Sequence, residues 1–278
     1  MPKDLYFAGS EDKKNRKENN RPKVYVSMSH LSKIYFARHG DCHALDDVSF
    51  DIRKGEFVVV VGPSGCGKST LLMITAGLIP KTEGVVEIEG RPVEGPQTNV
   101  GIVFQSPTLL EWRTSMKNVM LQVEMRELKG DKHKWHALEL LESVGLKGFE
   151  NKYPFELSGG MRQRVSICRA LVHDPPLLLM DEPFGALDAL TREQMRIDVG
   201  KLLLKKRKTV LFITHSIQEA VILADRIIVM TPRPGKVDRI INIDLSRPRD
   251  LKIQGSTKFL EYCKTIKDIF LSKGVLKY

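Results

Sequence analysis

Nine residues, GPSGCGKST at positions 62 to 70, limit what this chain can fold into more than any other stretch. They fit the spacing G-x-x-x-x-G-K-[ST], with the apolar run FVVVVG leading in and the helix-like TLLMITAGL leading out. A strand that turns through glycines into a helix aims backbone N–H groups at one point, and the helix N-terminus adds its positive dipole end. That point suits phosphate. Gly62, Pro63, Ser64, Gly65, Cys66, Gly67, Lys68, Ser69 and Thr70 thus form a candidate cradle, in which Lys68 reaches the β and γ phosphates and Ser69 holds Mg²⁺. Cys66 reads as a small filler of the tight turn, because a reactive thiol needs a depressed pKa.

From Lys23 onward, short β-type runs alternate with helical segments: VYVSM, FVVVVG, VVEIEG, VGIVFQ, LLLMDE, TVLFIT and RIIVM. Continuous apolar strands beside helices predict an α/β domain around a buried, largely parallel sheet. Between Pro107 and Glu156 these runs stop, and Trp135, Leu138, Leu141 and Val144 repeat at helical spacing up to a C-cap at Gly145. An inserted helical lobe is the expected result. Near the C-terminus Phe259, Cys263, Ile266 and Phe270, widened by Tyr262 and Ile269, form one apolar face of a helix. That face predicts packing, with Cys263 buried as a small hydrophobe.

A second set of chemical groups stands at strand ends, where α/β proteins place their ligands. LLLMDEP ends a strand in two acids, so Asp181 is a candidate to steady Mg²⁺. Side chains alternate along a strand, which leaves Glu182 free to orient and deprotonate an attacking water. His215 follows TVLFIT and could contact the γ-phosphate or its water, while Gln105 follows VGIVF and could sense Mg²⁺ or water. No N-K-x-D sequence is present to read guanine, so GTP specificity is unsupported.

The bulk properties bound the rest. The 278 residues carry a net charge of +10, which favours an acidic partner without choosing among nucleic acid, anionic lipid and nucleotide. Cys42, Cys66, Cys168 and Cys263 are widely spaced with no CxxC pair, which predicts reduced thiols and no zinc site. No apolar run approaches the roughly 20 residues of a membrane span, and the N-terminus lacks a secretory apolar segment. A cytoplasmic location is expected. Residues 1–22, rich in Lys, Arg, Glu and Asn, read as a disordered basic tail.

Taken in order, GPSGCGKST, VFQ, LSGGMRQR, LLLMDEP, ALD and TH resemble the ATP-binding cassette (ABC) ATPases over about residues 24 to 245. LSGG is the most specific element. The resemblance implies a P-loop NTPase ABC-ATPase fold, with a small antiparallel β subdomain and an inserted α-helical subdomain spanning about 106–162. The division expected is a tail at 1–22, an ABC ATPase domain at 23–245 and a C-terminal helical extension at 246–278. It further implies ATP and Mg²⁺ as cofactors, and Tyr35 as the aromatic that stacks on adenine, with Phe36 as the alternative. Asp188 then matches the loop linking two sites across a dimer, and Gln105 the loop coupling the site to a membrane partner.

In this family two cassettes pair head to tail, so Ser158, Gly159 and Gly160 of one copy would close over the γ-phosphate in the other copy's Gly62 to Thr70 loop. A homodimer with two shared sites is the expectation. VFQSPTLLEWRTSMKNV, MDEPFGALDALTREQM, PRPGKV and SRPRD are similar to importers of the nitrate, sulfonate and taurine branch. Glu111, Ser216 and Cys168 depart from that branch. The resemblance thus implies a peripheral ATPase on the cytoplasmic face of the membrane. It would power uptake of a small solute, nitrate-, sulfonate-, taurine- or pyrimidine-precursor-like, through separate permease subunits, with an extracytoplasmic solute-binding protein as indirect partner. Glu182 would be its catalytic base, with Lys68 and His215 beside it. The rival reading is a soluble ABC ATPase acting on ribosome or nucleic acid; it would call for two cassettes or a long coiled-coil insertion, and nucleic acid is not the partner expected.

Overall fold

Two sheets of different character organise the computed structural model, which describes residues 23–38, 40–185, 187–205, 207–247, 249 and 251–276. The expected tail at 1–22 lies outside the described residues. In chain order the first elements are β1 (Val24–Tyr35), β2 (Cys42–Arg53), β3 (Phe57–Val61), α1 (Lys68–Thr75), β4 (Glu83–Ile88), β5 (Arg91–Pro92) and β6 (Val100–Val103). Then come α2 (Ser115–Met125), α3 (Gly130–Ser143), α4 (Gly159–Leu171), β7 (Leu177–Asp181), α5 (Ala189–Lys205) and β8 (Thr209–Thr214). The chain continues through α6 (Ile217–Leu223), β9 (Arg226–Met230), β10 (Val237–Asn242) and α7 (Thr257–Ser272).

The central sheet has the order β10-β9-β3-β8-β7-β6. Its strands β9, β3, β8, β7 and β6 run parallel, and β10 closes one edge antiparallel to β9. Every residue of β3, β7 and β8 is buried, because both faces of this sheet are covered. Alternate side chains serve separate cores. Phe57, Val59, Val61, Leu178, Met180, Val210 and Phe212 join the core beneath the helices, and Val58, Val60, Leu177, Leu179, Leu211 and Ile213 join the core under α1. Phe212 ties the first core together, with Phe57 and Phe184 at ring-centroid distances of 5.9 and 5.6 Å.

Two of the β-type runs make the small antiparallel subdomain that the resemblance implied and take no part in the parallel sheet. VYVSM and VVEIEG form β1 and β4 of a four-stranded antiparallel sheet, ordered β2-β1-β4-β5. The reason is visible in its neighbour β2. There Val48, Phe50 and Ile52 are buried while the intervening Ser49, Asp51 and Arg53 face water, as antiparallel sheets with one solvated face permit.

Helices α2 and α3 fill the interval without strands and pack on α4. Asn118, fully buried on α2, ties that helix to the turn before it: its Oδ1 accepts the Leu110 N–H at 2.8 Å, and its Nδ2 donates to the carbonyls of Leu110, Arg113 and Thr114. Helix α3 ends as expected at Gly145, which has φ 73° and donates to the Glu142 carbonyl while Leu146 N–H returns to Leu141. Its buried face is Ala137, Leu140 and Leu141, continued by Val144. Trp135 belongs to the opposite side, 73% exposed, so the spacing that joined it to this stripe was one position too permissive.

Helix α7 buries Phe259, Cys263, Ile266, Ile269 and Phe270, the face expected to pack, and it rests on α6. The segment before it is anchored by arginine. Arg249 donates to the carbonyls of Val221, Ile222, Ala224, Ile243 and Leu245, and Arg247 to Leu223 and the Asp225 carboxylate. Cations placed there satisfy the orphan carbonyls at the C-terminal end of α6. Burial pulls the Arg249 guanidinium down to about 10.

Candidate nucleotide site

The parallel strands β3, β7, β8 and β9 all point their C-terminal ends to one edge, and a cleft of about 350 Å³ opens there. Its walls include Tyr35, Ser64, Gly65, Gly67, Lys68, Ser69, Thr70, Gln105 and Glu182. Lys68 begins α1 and is buried; its Nζ donates to the carbonyls of Gly62 and Pro63 at 3.0 and 2.9 Å. The ammonium is thereby held at the mouth of the loop. Cys66 is buried within the turn, and burial pushes its thiol up, as a packing role requires.

Asp181 and Glu182 are adjacent in sequence and separate in space. Asp181 ends β7 and is buried, with Oδ1 lacking a hydrogen-bond partner among the described residues. Burial pushes its carboxyl above the usual carboxylate range, the Ser69 hydroxyl pulls it back, and the charge of Glu182 raises it again. An orphaned carboxylate oxygen beside a loop hydroxyl suits a hard divalent cation, which takes oxygen ligands. Ser69 and Asp181 therefore fit Mg²⁺.

Glu182 has φ 43°, a turn that carries its side chain off the strand direction. Its Oε1 lies 3.9 Å from Lys68 Nζ and its Oε2 lies 2.9 Å from His215 Nδ1. The carboxylate accepts, so the proton of this bond sits on Nδ1. His215 directly follows β8, and Ser216 next to it caps α6 by accepting the Glu219 N–H at 3.3 Å. Gln105 reaches the same cleft: a Cβ on Gly185 would lie 3.6 Å from Glu182 Oε2 and 3.8 Å from Gln105 Nε2.

At the other wall, the Tyr35 hydroxyl is 3.3 Å from Thr70 Oγ1, and Lys33 Nζ sits 5.0 Å from the centre of its ring. Phe36 is 74% exposed and does not line the cleft, whereas Tyr35 does.

Four predicted residues are not brought here. Ser158, Gly159 and Gly160 start α4, where Ser158 accepts the Met161 N–H at 3.3 Å, and none of them lines the cleft. Asp188 also stands apart, accepting the Thr191 N–H at 3.0 Å, a bond that holds its carboxyl below the usual range. Sequence reasoning did not single out three other wall residues: Cys42, Ala44 and Arg233. The signal for Arg233 was its place in PRPG just after the strand RIIVM, whose C-terminal end shares the edge of the others.

A cradle, a cation-fitting pair and a carboxylate–imidazole pair on one parallel sheet edge define a nucleotide-hydrolysing cassette. The family model described as ABC transporter matches residues 45–185. An uncharacterized ABC transporter ATP-binding protein of Methanocaldococcus jannaschii is 47% identical over 261 residues, covering 94% of this chain and 96% of the relative. The taurine import ATP-binding protein TauB of Rhizobium johnstonii is 47% identical over 258 residues, covering 91% and 98%. The aliphatic sulfonates import ATP-binding protein SsuB of Bacillus anthracis is 43% identical over 226 residues, covering 81% and 88%. Among solved structures, a dimeric ATP-binding cassette in a post-hydrolysis state bound to ADP and Pi is similar with a TM-score of 0.71 and 35% identity, covering 80% of this chain and all of that one. The chain belongs to the ABC transporter family and is an ABC ATPase.

Proposed function

We propose that this chain is the ATP-hydrolysing subunit of an importer, working as a homodimer on the cytoplasmic face of a membrane. The observation that carries the chemistry is that Lys68, Ser69 and Glu182 line one cleft, with His215 bonded to Glu182 and Asp181 beside Ser69 at the end of β7. Lys68 binds the β and γ phosphates as a fixed charge. Ser69 and Asp181 would hold Mg²⁺, which supplies charge neutralisation on the phosphates when bound. Glu182 orients and deprotonates the attacking water, and His215 holds the Glu182 carboxylate in place.

The dimer reading is supported by what the cleft lacks. Ser158, Gly159 and Gly160 present a helix N-terminus outside the chain's own cleft, which leaves them for the phosphate of a second copy. A dimeric cassette among the similar solved structures agrees with that arrangement.

The importer reading draws on relatives named for taurine and aliphatic sulfonate import, and it points to a small solute of that class. A separate permease would provide the path, since no helix among the described residues is long and apolar enough to cross a membrane. An extracytoplasmic binding protein would deliver the solute. For the permease contact we favour the groove of about 470 Å³ between the central sheet and α2, whose lining includes Leu78, Phe104, Leu121 and Met125. Met125 is 76% exposed, and Trp112 nearby in sequence is 75% exposed rather than part of a core. ATP would close the dimer because it binds the closed state better, and hydrolysis would reopen it. The same relatives speak against the ribosome or nucleic-acid alternative.

Extraction of the tagged protein from native membranes, followed by mass spectrometry, tests this function. Recovery of a multi-span permease is expected. Recovery of ribosomes or DNA in its place would overturn the importer reading.

A further inference from the structure

We infer that Arg233 is a second cationic ligand for the phosphates of the bound nucleotide, an inference that rests on the reading of the cleft as an ATP site. Arg233 lies in the turn between β9 and β10 and lines the same cleft as Lys68, Ser69 and Thr70. Its Nε donates to the Gly65 carbonyl at 3.2 Å. A guanidinium has five N–H donors, so most of this fork remains for an anion. The carbonyl it grips belongs to the middle of the phosphate loop.

The turn that carries Arg233 is built onto the loop. Gly235 N–H donates to the Ala44 carbonyl at 3.0 Å, and the Gly235 carbonyl accepts the Asp46 N–H at 3.0 Å. A Cβ on Gly235 would lie 2.0 Å from the Cys66 carbonyl oxygen, so only glycine permits this approach. Lys236 adds an ion pair to Asp46 at 2.6 Å. On the loop side, Gly65 has φ 76°, and a Cβ there would meet Arg233 Nη2 at 3.2 Å. Gly235 thus lets the turn lie against the loop, and Gly65 leaves room for the guanidinium. A charged side chain that is exposed itself but rooted in a fixed turn is preorganised for a ligand. Its place beside Gly65, in the middle of the phosphate loop, assigns it to phosphate rather than base.

Calorimetric titration of the full chain with a non-hydrolysable ATP analogue, ADP and adenosine tests the assignment, using Arg233→Met, Arg233→Lys and Lys68→Ala. Arg233→Met is expected to weaken the triphosphate and diphosphate by about tenfold, as for a charge-assisted hydrogen bond, and to leave adenosine unchanged. Arg233→Lys should recover part of the loss. Because the contact is ionic, the difference from wild type should shrink as salt rises from about 0.05 to 0.5 M. A loss that does not change with salt would mean that Arg233 only props the loop, and wild-type affinity in Arg233→Met would equally overturn the inference. Lys68→Ala separates the two readings: if it binds triphosphate as wild type does, the nucleotide site itself is wrong, whereas its failure beside an unaffected Arg233→Met sinks only the role of Arg233. Thermal melting of each variant identifies any that fails to fold, in which case Arg233→Lys and its salt dependence decide.

Discussion

Glu182 Oε2 lies 2.9 Å from His215 Nδ1, and this one contact joins the end of β7 to the end of β8 across the mouth of the cleft. The other carboxylate oxygen faces Lys68 Nζ at 3.9 Å, so the end of β3 is tied in as well. A single acid therefore faces both the Lys68 ammonium and the imidazole that follows the neighbouring strand.

Replacement of Glu182 by Gln keeps the shape and removes the proposed base. Phosphate release should fall by at least about a hundredfold, within the range expected for general base catalysis, while binding of ATP is preserved. With Mg²⁺ and ATP the variant should run as a dimer in size-exclusion chromatography. Normal turnover would remove Glu182 from the base role.

Asn118 offers a test of the helical lobe. Asn118→Ala leaves the Leu110 N–H and the Arg113 carbonyl without the side-chain partner shown, while the Leu110 and Thr114 carbonyls keep the backbone N–H groups of residues 113 and 118. Loss of about 1 to 3 kcal/mol is expected. Denaturant titration should show a lower midpoint at unchanged slope.

The C-terminal helix should contribute to stability through packing. Phe259 is fully buried in the core shared with α6, so Phe259→Ala is expected to cost about 3 to 5 kcal/mol in chemical denaturation. A cost below about 1 kcal/mol would mean that α7 is only loosely attached.

Acid should weaken the fold through His173. Burial, followed by the charge of Arg126, pulls this imidazole down to about 4. The unfolded chain takes the proton near pH 6.5, whereas the folded chain resists it until about pH 4. Stability is therefore fully present above about pH 6.5 and is lost as pH falls toward 4. His173→Gln should flatten the slope of stability against pH in that window, which denaturation at a series of pH values would detect.

Much of this molecule was legible because its signals are local. GPSGCGKST specifies its own turn through its glycines, the apolar runs of β3, β7 and β8 specify burial on both faces, and Gly145 marks its helix end by its own backbone angle. The acids of LLLMDEP were placed at a strand end by counting alone. What the linear chain could not determine were relationships between segments far apart in sequence. Whether VYVSM paired parallel or antiparallel depended on which strand lay beside it, since its own residues suit either sheet. Trp135 kept helical spacing with a buried stripe, yet it points to solvent because only the packing of α3 on α2 and α4 decides which face is covered. Arg233 meets Gly65 across 168 positions, and nothing in a short stretch of sequence encodes a contact made by folding the last parallel strand against the first loop.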